Sequence, residues 1–229
     1  MRLDKFLSDN SELSRSRIQI AIKQKQVTVD GIIAKKGEQK IRGDELVTLN
    51  DTAIAPVPIR YVMLHKPIGY VCANKDSEHP TVLDLIDLPH KHNLQIVGRL
   101  DIDTTGLVLL TEDGDWNHRV TAPRRHCLKV YQLTTTEPIP TTAIAEFMAG
   151  VQLNGEPQLT LPAQLELLSS HKARLTIQEG KYHQVKRMFA ALGNRVTQLH
   201  RESIGDIHLD PALSPGQYRS LTLSEINRV

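Results

Sequence analysis

The sequence predicts an α+β protein in two parts: a small leading module, then a mostly antiparallel mixed sheet with helices packed on it. Three observations carry this reading. Short alternating apolar stretches recur at hairpin-like spacing over residues 61–201, an amphipathic helix lies within that region, and Pro56 and Pro58 separate it from a basic leading segment. The implied parts are residues 1–58 and 59–229.

In the leading segment Leu3, Phe6 and Leu7 repeat at helical spacing, and Ser14 is placed to cap a second helix over residues 15–25. Ile18, Ala21 and Ile22 fall on one stripe of that helix, while Arg15, Arg17, Lys23 and Lys25 lie mostly off it. Val27 and Val29 then alternate with polar residues, and Asp30-Gly31 signals a type I′ hairpin turn. Residues 45–49 add a further strand, and 50–60 read as an extended linker because its prolines cannot continue a helix. Beyond it, strands are predicted at 61–64, 69–72, 107–111, 130–135, 163–168, 174–178 and 196–201, and helices at 82–86, 115–120, 142–148 and 183–192. In the last helix Val185, Met188, Phe189 and Leu192 form one apolar stripe, and Gly193 is its stop.

With 229 residues, 40% hydrophobic and 24% charged, the composition excludes a disordered chain and supports a core that needs no disulfides. Cys72 and Cys127 stand outside any CxxC or Cys/His ligand spacing, so no structural metal and a reducing compartment are expected. No apolar run approaches the roughly 18 residues that cross a bilayer. The polar start MRLDKFLSDN lacks a signal-peptide core, which points to a cytoplasmic protein. The net charge of +2 is unevenly placed, with ten Lys/Arg against five Asp/Glu in residues 1–42 and eighteen against twenty-one in the rest. That asymmetry fits a polyanion-binding module joined to a body that does chemistry.

Three stretches offer reactive or binding side chains. In Gly98-Arg99-Leu100-Asp101-Ile102-Asp103-Thr104-Thr105-Gly106-Leu107 two glycines bracket a polar loop ahead of an apolar strand, where a rigid sheet edge presents carboxylates, a guanidinium and hydroxyls. By itself this pattern also fits a satisfied turn or an Asp-x-Asp metal or sugar-nucleotide site. Residues 116–131 gather His118, Arg119, Arg124, Arg125, His126 and Lys129 ahead of Tyr131, cations for phosphates beside an aromatic for a base, or equally a solvated loop with a core tyrosine. In EGKYHQVKRM, Lys186 and Arg187 sit early in a helix, against its macrodipole, which suits a nearby anion or carboxylate.

Together, and in this order, the GRLDxxTxGL loop, the upstream Lys66-Pro67-Ile68-Gly69 and the downstream KxY and HQVKRM segments resemble the pseudouridine synthases. More narrowly they resemble the bacterial family that modifies small-subunit ribosomal RNA, in which an S4-type RNA-binding domain comes first. The stretch RLDKFLSDN…SRSRI…VTVDG is similar to that domain, so the resemblance runs from Met1 to about Leu221.

The resemblance implies that Asp101 is the single catalytic acid, Tyr131 lies against the target uracil, and Lys186 is the ion-pair partner of Asp101, with Arg187 the alternative. It implies substrate contacts by Arg99, Thr104, Arg124, Arg125, Lys129, His183 and Arg187, and RNA contacts by Arg2, Lys5, Arg15, Arg17, Lys23 and Lys25 in the leading domain. The implied partner is 16S rRNA or a small-subunit assembly intermediate, with uridine 516 as the target. The reaction needs no cofactor and no metal, and the protein is expected to be a monomer without an obligate protein partner or membrane segment. The competing readings are a non-catalytic RNA-binding or ribosome-assembly factor, and a glycosidic-bond hydrolase using Asp101 with Asp103.

Overall fold

The computed structural model describes residues 1–122 and 127–228. Arg124 and Arg125, both expected at the substrate, lie outside the described residues. The chain divides into two compact units, Met1–Ile59 and Arg60–Val229.

In the first unit, helices α1 (Leu3–Asn10) and α2 (Arg15–Lys23) precede four short strands, β1 (Val27–Val29), β2 (Ile32–Ile33), β3 (Val47–Leu49) and β4 (Thr52–Ala53). The strands pair antiparallel in the order β2-β1-β3-β4. Ser14 caps α2 by accepting the Arg17 N–H, and Ile18, Ala21 and Ile22 are buried with Leu3, Phe6, Leu7 and Val27. Asp30 and Gly31 both take positive φ and close the β1–β2 hairpin with Val29 opposite Ile32, as the Asp-Gly pair predicts. The linker expected over 50–60 begins later than its sequence suggests. Asn50 and Asp51 adopt φ +50° and +61° and turn β3 back onto β4, because short polar side chains tolerate the left-handed region.

The second unit is built on a nine-stranded sheet: β5 (Tyr61–Lys66), β6 (Gln95–Val97), β7 (Thr105–Thr111), β8 (Lys129–Thr135), β9 (Gln164–Leu167), β10 (Lys172–Ile177), β11 (Val196–Ile204), β12 (Ile207–His208) and β13 (Tyr218–Ser220). Its main path runs β13-β5-β7-β11-β8-β10-β9, with β6 on β7 and β12 on β11; every pairing is antiparallel except β7 with β11. Leu107 to Leu110 are each 0% exposed because both faces of β7 are covered, which is why this strand reads as an unbroken apolar run. Val108 and Leu110 pack with Val62, Leu64, Phe147 and Phe189 on one face, and Leu107 and Leu109 with Met63 and Trp116 on the other.

Helices α3 (Gly114–Thr121), α4 (Thr142–Ala149), α5 (Gln184–Ala191) and α6 (Leu223–Ile226) complete the unit. Two expectations are corrected. Residues 69–72 form no strand: Gly69 has φ +90°, and only an isolated bridge joins Val71 to Thr81. Residues 82–86 form turns rather than a helix, with the Asp84 N–H on the Thr81 carbonyl and the Ile86 N–H on the Leu83 carbonyl, while Val82, Leu83 and Ile86 still reach the core.

The parallel β7–β11 junction requires a glycine. Gly106 has φ +109°, and a Cβ there would lie 2.3 Å from the Arg201 carbonyl oxygen and 2.6 Å from its nitrogen. Gly106→Ala is expected to lower unfolding stability in urea by about 2–4 kcal/mol, from overpacking added to a left-handed backbone. Gly31→Ala, where the added Cβ would meet nothing within 4 Å, should lose only the conformational part, about 1 kcal/mol.

Candidate active site

The residues that distinguish this unit converge on the loop entering β7. Gly98, at φ +74°, starts it, and Leu100 is anchored beneath by burial and by its N–H on the Cys72 Sγ at 3.3 Å. The Thr104 N–H bonds the Asp101 carbonyl at 3.1 Å, and the Gly69 N–H bonds the Ile102 carbonyl at 2.9 Å. The Lys66-Pro67-Ile68-Gly69 segment is thereby tied directly to the aspartate loop.

Two fully buried cations hold this loop through its backbone. The Lys66 Nζ donates to the carbonyls of Thr104 (2.8 Å), Pro67 (3.0 Å) and Ile102 (3.3 Å). Burial pushes this ammonium below the ordinary lysine value. Arg201, facing inward from β11, donates to the carbonyls of Gly98 (2.6 Å), Leu107 (2.9 Å) and Arg99 (3.4 Å). Its Nη1 also stands 3.5 Å from the Tyr131 hydroxyl, and its guanidinium carbon 6.0 Å from the Tyr131 ring centre. Neither cation has a carboxylate partner among the described residues.

At the loop's surface the Asp101 carboxylate is shared between two side chains of the α5 entry. Its Oδ2 accepts from the Lys186 Nζ at 2.9 Å, and its Oδ1 lies 3.2 Å from the His183 Nε2. The same Lys186 Nζ donates to the Asp103 Oδ1 at 2.5 Å. Asp101 and Lys186 expose only 26% and 24% of their side chains, so both are shielded while still reachable. Burial alone would lower the Lys186 pKa, but the hydrogen bonds and charges of Asp101 and Asp103 outweigh it and hold it above the usual lysine value. Burial likewise favours a neutral Asp103, yet the Lys186 hydrogen bond holds that carboxyl below the usual range. A cation in the first turn of α5, unfavourable toward the helix dipole, is thus matched by two carboxylates.

The structure brings together Asp101, Lys186 and His183, and places Tyr131, 7% exposed, under the same loop through Arg201. Arg99 is exposed, and its side chain makes no hydrogen bond or ion pair among the described residues. Lys129 is half-buried with its Nζ on the Cys127 carbonyl, and burial lowers its pKa. Two expected substrate contacts point elsewhere. Arg187 is used inside the protein, on Glu156 (3.2 Å) and the carbonyls of Tyr182 (3.0 Å) and Asn154 (2.5 Å), because Glu156 and not Asp101 is the carboxylate within its reach. Thr104 is 2% exposed, its hydroxyl without a hydrogen-bond partner beneath the loop.

In the first unit, the buried Asp4 accepts from Arg2 (3.0 and 2.7 Å) and Gln19 (3.1 Å), with Arg15 at 3.6 Å. The Arg2 hydrogen bond holds the Asp4 carboxyl below its ordinary value. Lys5 pairs with Asp9, whereas Arg17, Lys23 and Lys25 are exposed and without an ion pair among the described residues. Sequence reasoning passed over Arg201 and saw Lys66 only as part of a motif. The available signal for Arg201 was an arginine at an inward position between Leu199 and Ser203.

The chain is similar to known proteins over its whole length. A family model described as RNA pseudouridylate synthase matches residues 60–191, and an S4 domain model matches residues 1–47. The chain is 52% identical over 230 aligned residues to the ribosomal small subunit pseudouridine synthase A of Yersinia pestis, covering 100% of this chain and 98% of that protein. The protein of the same name from Escherichia coli K12 is 50% identical, with 100% of each chain covered. A solved structure titled as a pseudouridylate synthase matches with a TM-score of 0.73 and 47% identity, over 100% of this chain and 99% of that one.

Because the folded pKa of Lys186 is raised, the stability it contributes is complete below the ordinary lysine value and is lost as pH rises through the higher folded value. Lys186→Met is expected to lower unfolding stability by about 1 kcal/mol at neutral pH. Urea titrations should show that deficit constant up to about pH 10 and shrinking only above it. A deficit that disappears by about pH 8 would break the link to the raised lysine.

Proposed function

The chain belongs to the RNA pseudouridylate synthase family, and from that premise we propose that Asp101 isomerises one uridine of small-subunit ribosomal RNA, uridine 516 of the 16S molecule. The observation that carries this is the Asp101 carboxylate, oriented by Lys186 and His183 on a loop fixed from below by Lys66 and Arg201. The substrate is naked 16S rRNA or a small-subunit assembly intermediate.

The chemistry required is modest. The C1′–N1 bond of uridine breaks with its electron pair going to the uracil, the base turns, C5 bonds to C1′, and the C5 proton is lost while N1 regains one. Positive charge develops at C1′, and an ionised carboxylate beside the ribose stabilises it or bonds to it. The Lys186 and His183 contacts hold that carboxylate in one orientation. Tyr131 supplies a flat face for the uracil, and Arg201 beside its oxygen leaves the tyrosine proton free to point at the base. Reaching C1′ requires the nucleotide to leave its stack at a cost of a few kcal/mol, offset by phosphate contacts from Arg17, Lys23, Lys25 and Arg99. A hydrolase in which Asp103 is the general acid is disfavoured, since such an acid needs a raised pKa and Asp103 has a lowered one.

Incubation with small-subunit rRNA followed by pseudouridine mapping should show one modified uridine and no free uracil. Free uracil would indicate hydrolysis, and unmodified RNA bound tightly would indicate an assembly factor. Tyr131→Phe is expected to keep folding and RNA affinity but lose at least about tenfold in turnover; full turnover would reduce Tyr131 to packing. Arg17→Glu with Lys23→Glu should weaken RNA binding and reduce the slope of log affinity against log salt by about 1 per lost phosphate contact.

A further inference from the structure

We propose that Tyr182 is a stacking platform for the unpaired nucleotide next to the target uridine, a contact that rests on the activity proposed above. Tyr182 is 74% exposed, whereas the other Tyr, Phe and Trp side chains among the described residues are buried or half-buried. One face is already occupied: its ring lies 3.8 Å from the His183 ring at an interplanar angle of 22°. The imidazole it rests on is the one whose Nε2 stands 3.2 Å from Asp101. A single ring therefore separates Tyr182 from the reacting carboxylate, and its other face is open.

The turn that carries the ring is also held in place. His183 sits at φ +48° and ψ +35°, a left-handed conformation that a non-glycine residue adopts at a cost. The Tyr182 carbonyl accepts from Arg187, which is in turn paired with Glu156, and Glu156 also pairs with Lys181. The buried Gln184 accepts the Lys181 N–H, closing the turn from the other side. An exposed aromatic on so constrained a turn is preorganised, and little freedom remains to be lost when a planar ligand covers it.

The occupant follows from the reaction. Everting one nucleotide uncovers the faces of its neighbours, and an aromatic ring restores the lost stacking whatever the neighbour's identity. Tyr182 stands one ring outward from the carboxylate that meets the everted ribose, which places the adjacent base on its open face.

The test uses the full chain and an RNA hairpin carrying the target uridine with 2-aminopurine at its 5′ neighbour or, separately, its 3′ neighbour. At one of the two positions, wild-type binding should shift the emission, Tyr182→Trp and Tyr182→Phe should keep the shift, and Tyr182→Ala should abolish it. Affinity should fall roughly 10- to 100-fold in Tyr182→Ala. With an abasic site at that neighbour, the wild type and Tyr182→Ala should bind alike. Equal affinity and equal emission for Tyr182→Ala at both neighbours overturns the platform, circular dichroism having confirmed that the variant is folded. Pseudouridine formation by the wild type on the unlabelled hairpin is scored in parallel. Its absence overturns the proposed activity, whereas its presence with a Tyr182→Ala that binds normally overturns the platform alone.

Discussion

The ammonium of Lys186, donated to both Asp101 and Asp103, is the interaction on which the site depends. It joins the loop that enters β7 to the first turn of α5, elements 83 and 85 residues apart at the atoms concerned. The same ammonium holds the Asp103 carboxyl below its ordinary range against the effect of burial. Two carboxylates on one ammonium also explain why a lysine is tolerated where the helix dipole would repel it.

Lys66 and Arg201 serve the same end through the backbone. Both are buried, and both spend their donors on carbonyls of residues 98–107 and their neighbours. A buried cation usually demands a carboxylate; here peptide carbonyls meet the demand, and neither side chain forms an ion pair among the described residues. The consequence is a loop fixed through its backbone. Gly106 completes this arrangement, because only a residue without a Cβ lets β7 approach β11 where Arg201 turns inward.

The parts legible in the sequence were those governed by local rules. Asp30-Gly31 announces its turn, Leu107 to Leu110 announce a strand covered on both faces, and the Val185–Met188–Phe189 stripe announces α5. Residues 82–86 misled because apolar spacing alone does not distinguish a helix from a set of turns that bury the same side chains. The short strands β6 and β13 exist through long-range pairing and leave little local trace, and β12 adds only two residues across a hairpin turn from β11. In the site, the motif singled out Asp101 and Lys186, yet its neighbour Arg187 has similar chemistry and only the position of Glu156 separates their roles. Arg201 was hidden for the same reason: its importance lies in the strand register, which places it beside Gly106 and Tyr131.

In the proposed reaction the negative charge at position 101 does the chemistry, not merely the binding. Asp101→Asn removes the charge while keeping the size and one accepting oxygen. Assayed on small-subunit rRNA beside the wild type, this variant should bind RNA within a few-fold of normal and form no detectable pseudouridine in the time the wild type needs to finish. Pseudouridine accumulating at the wild-type pace would contradict the account.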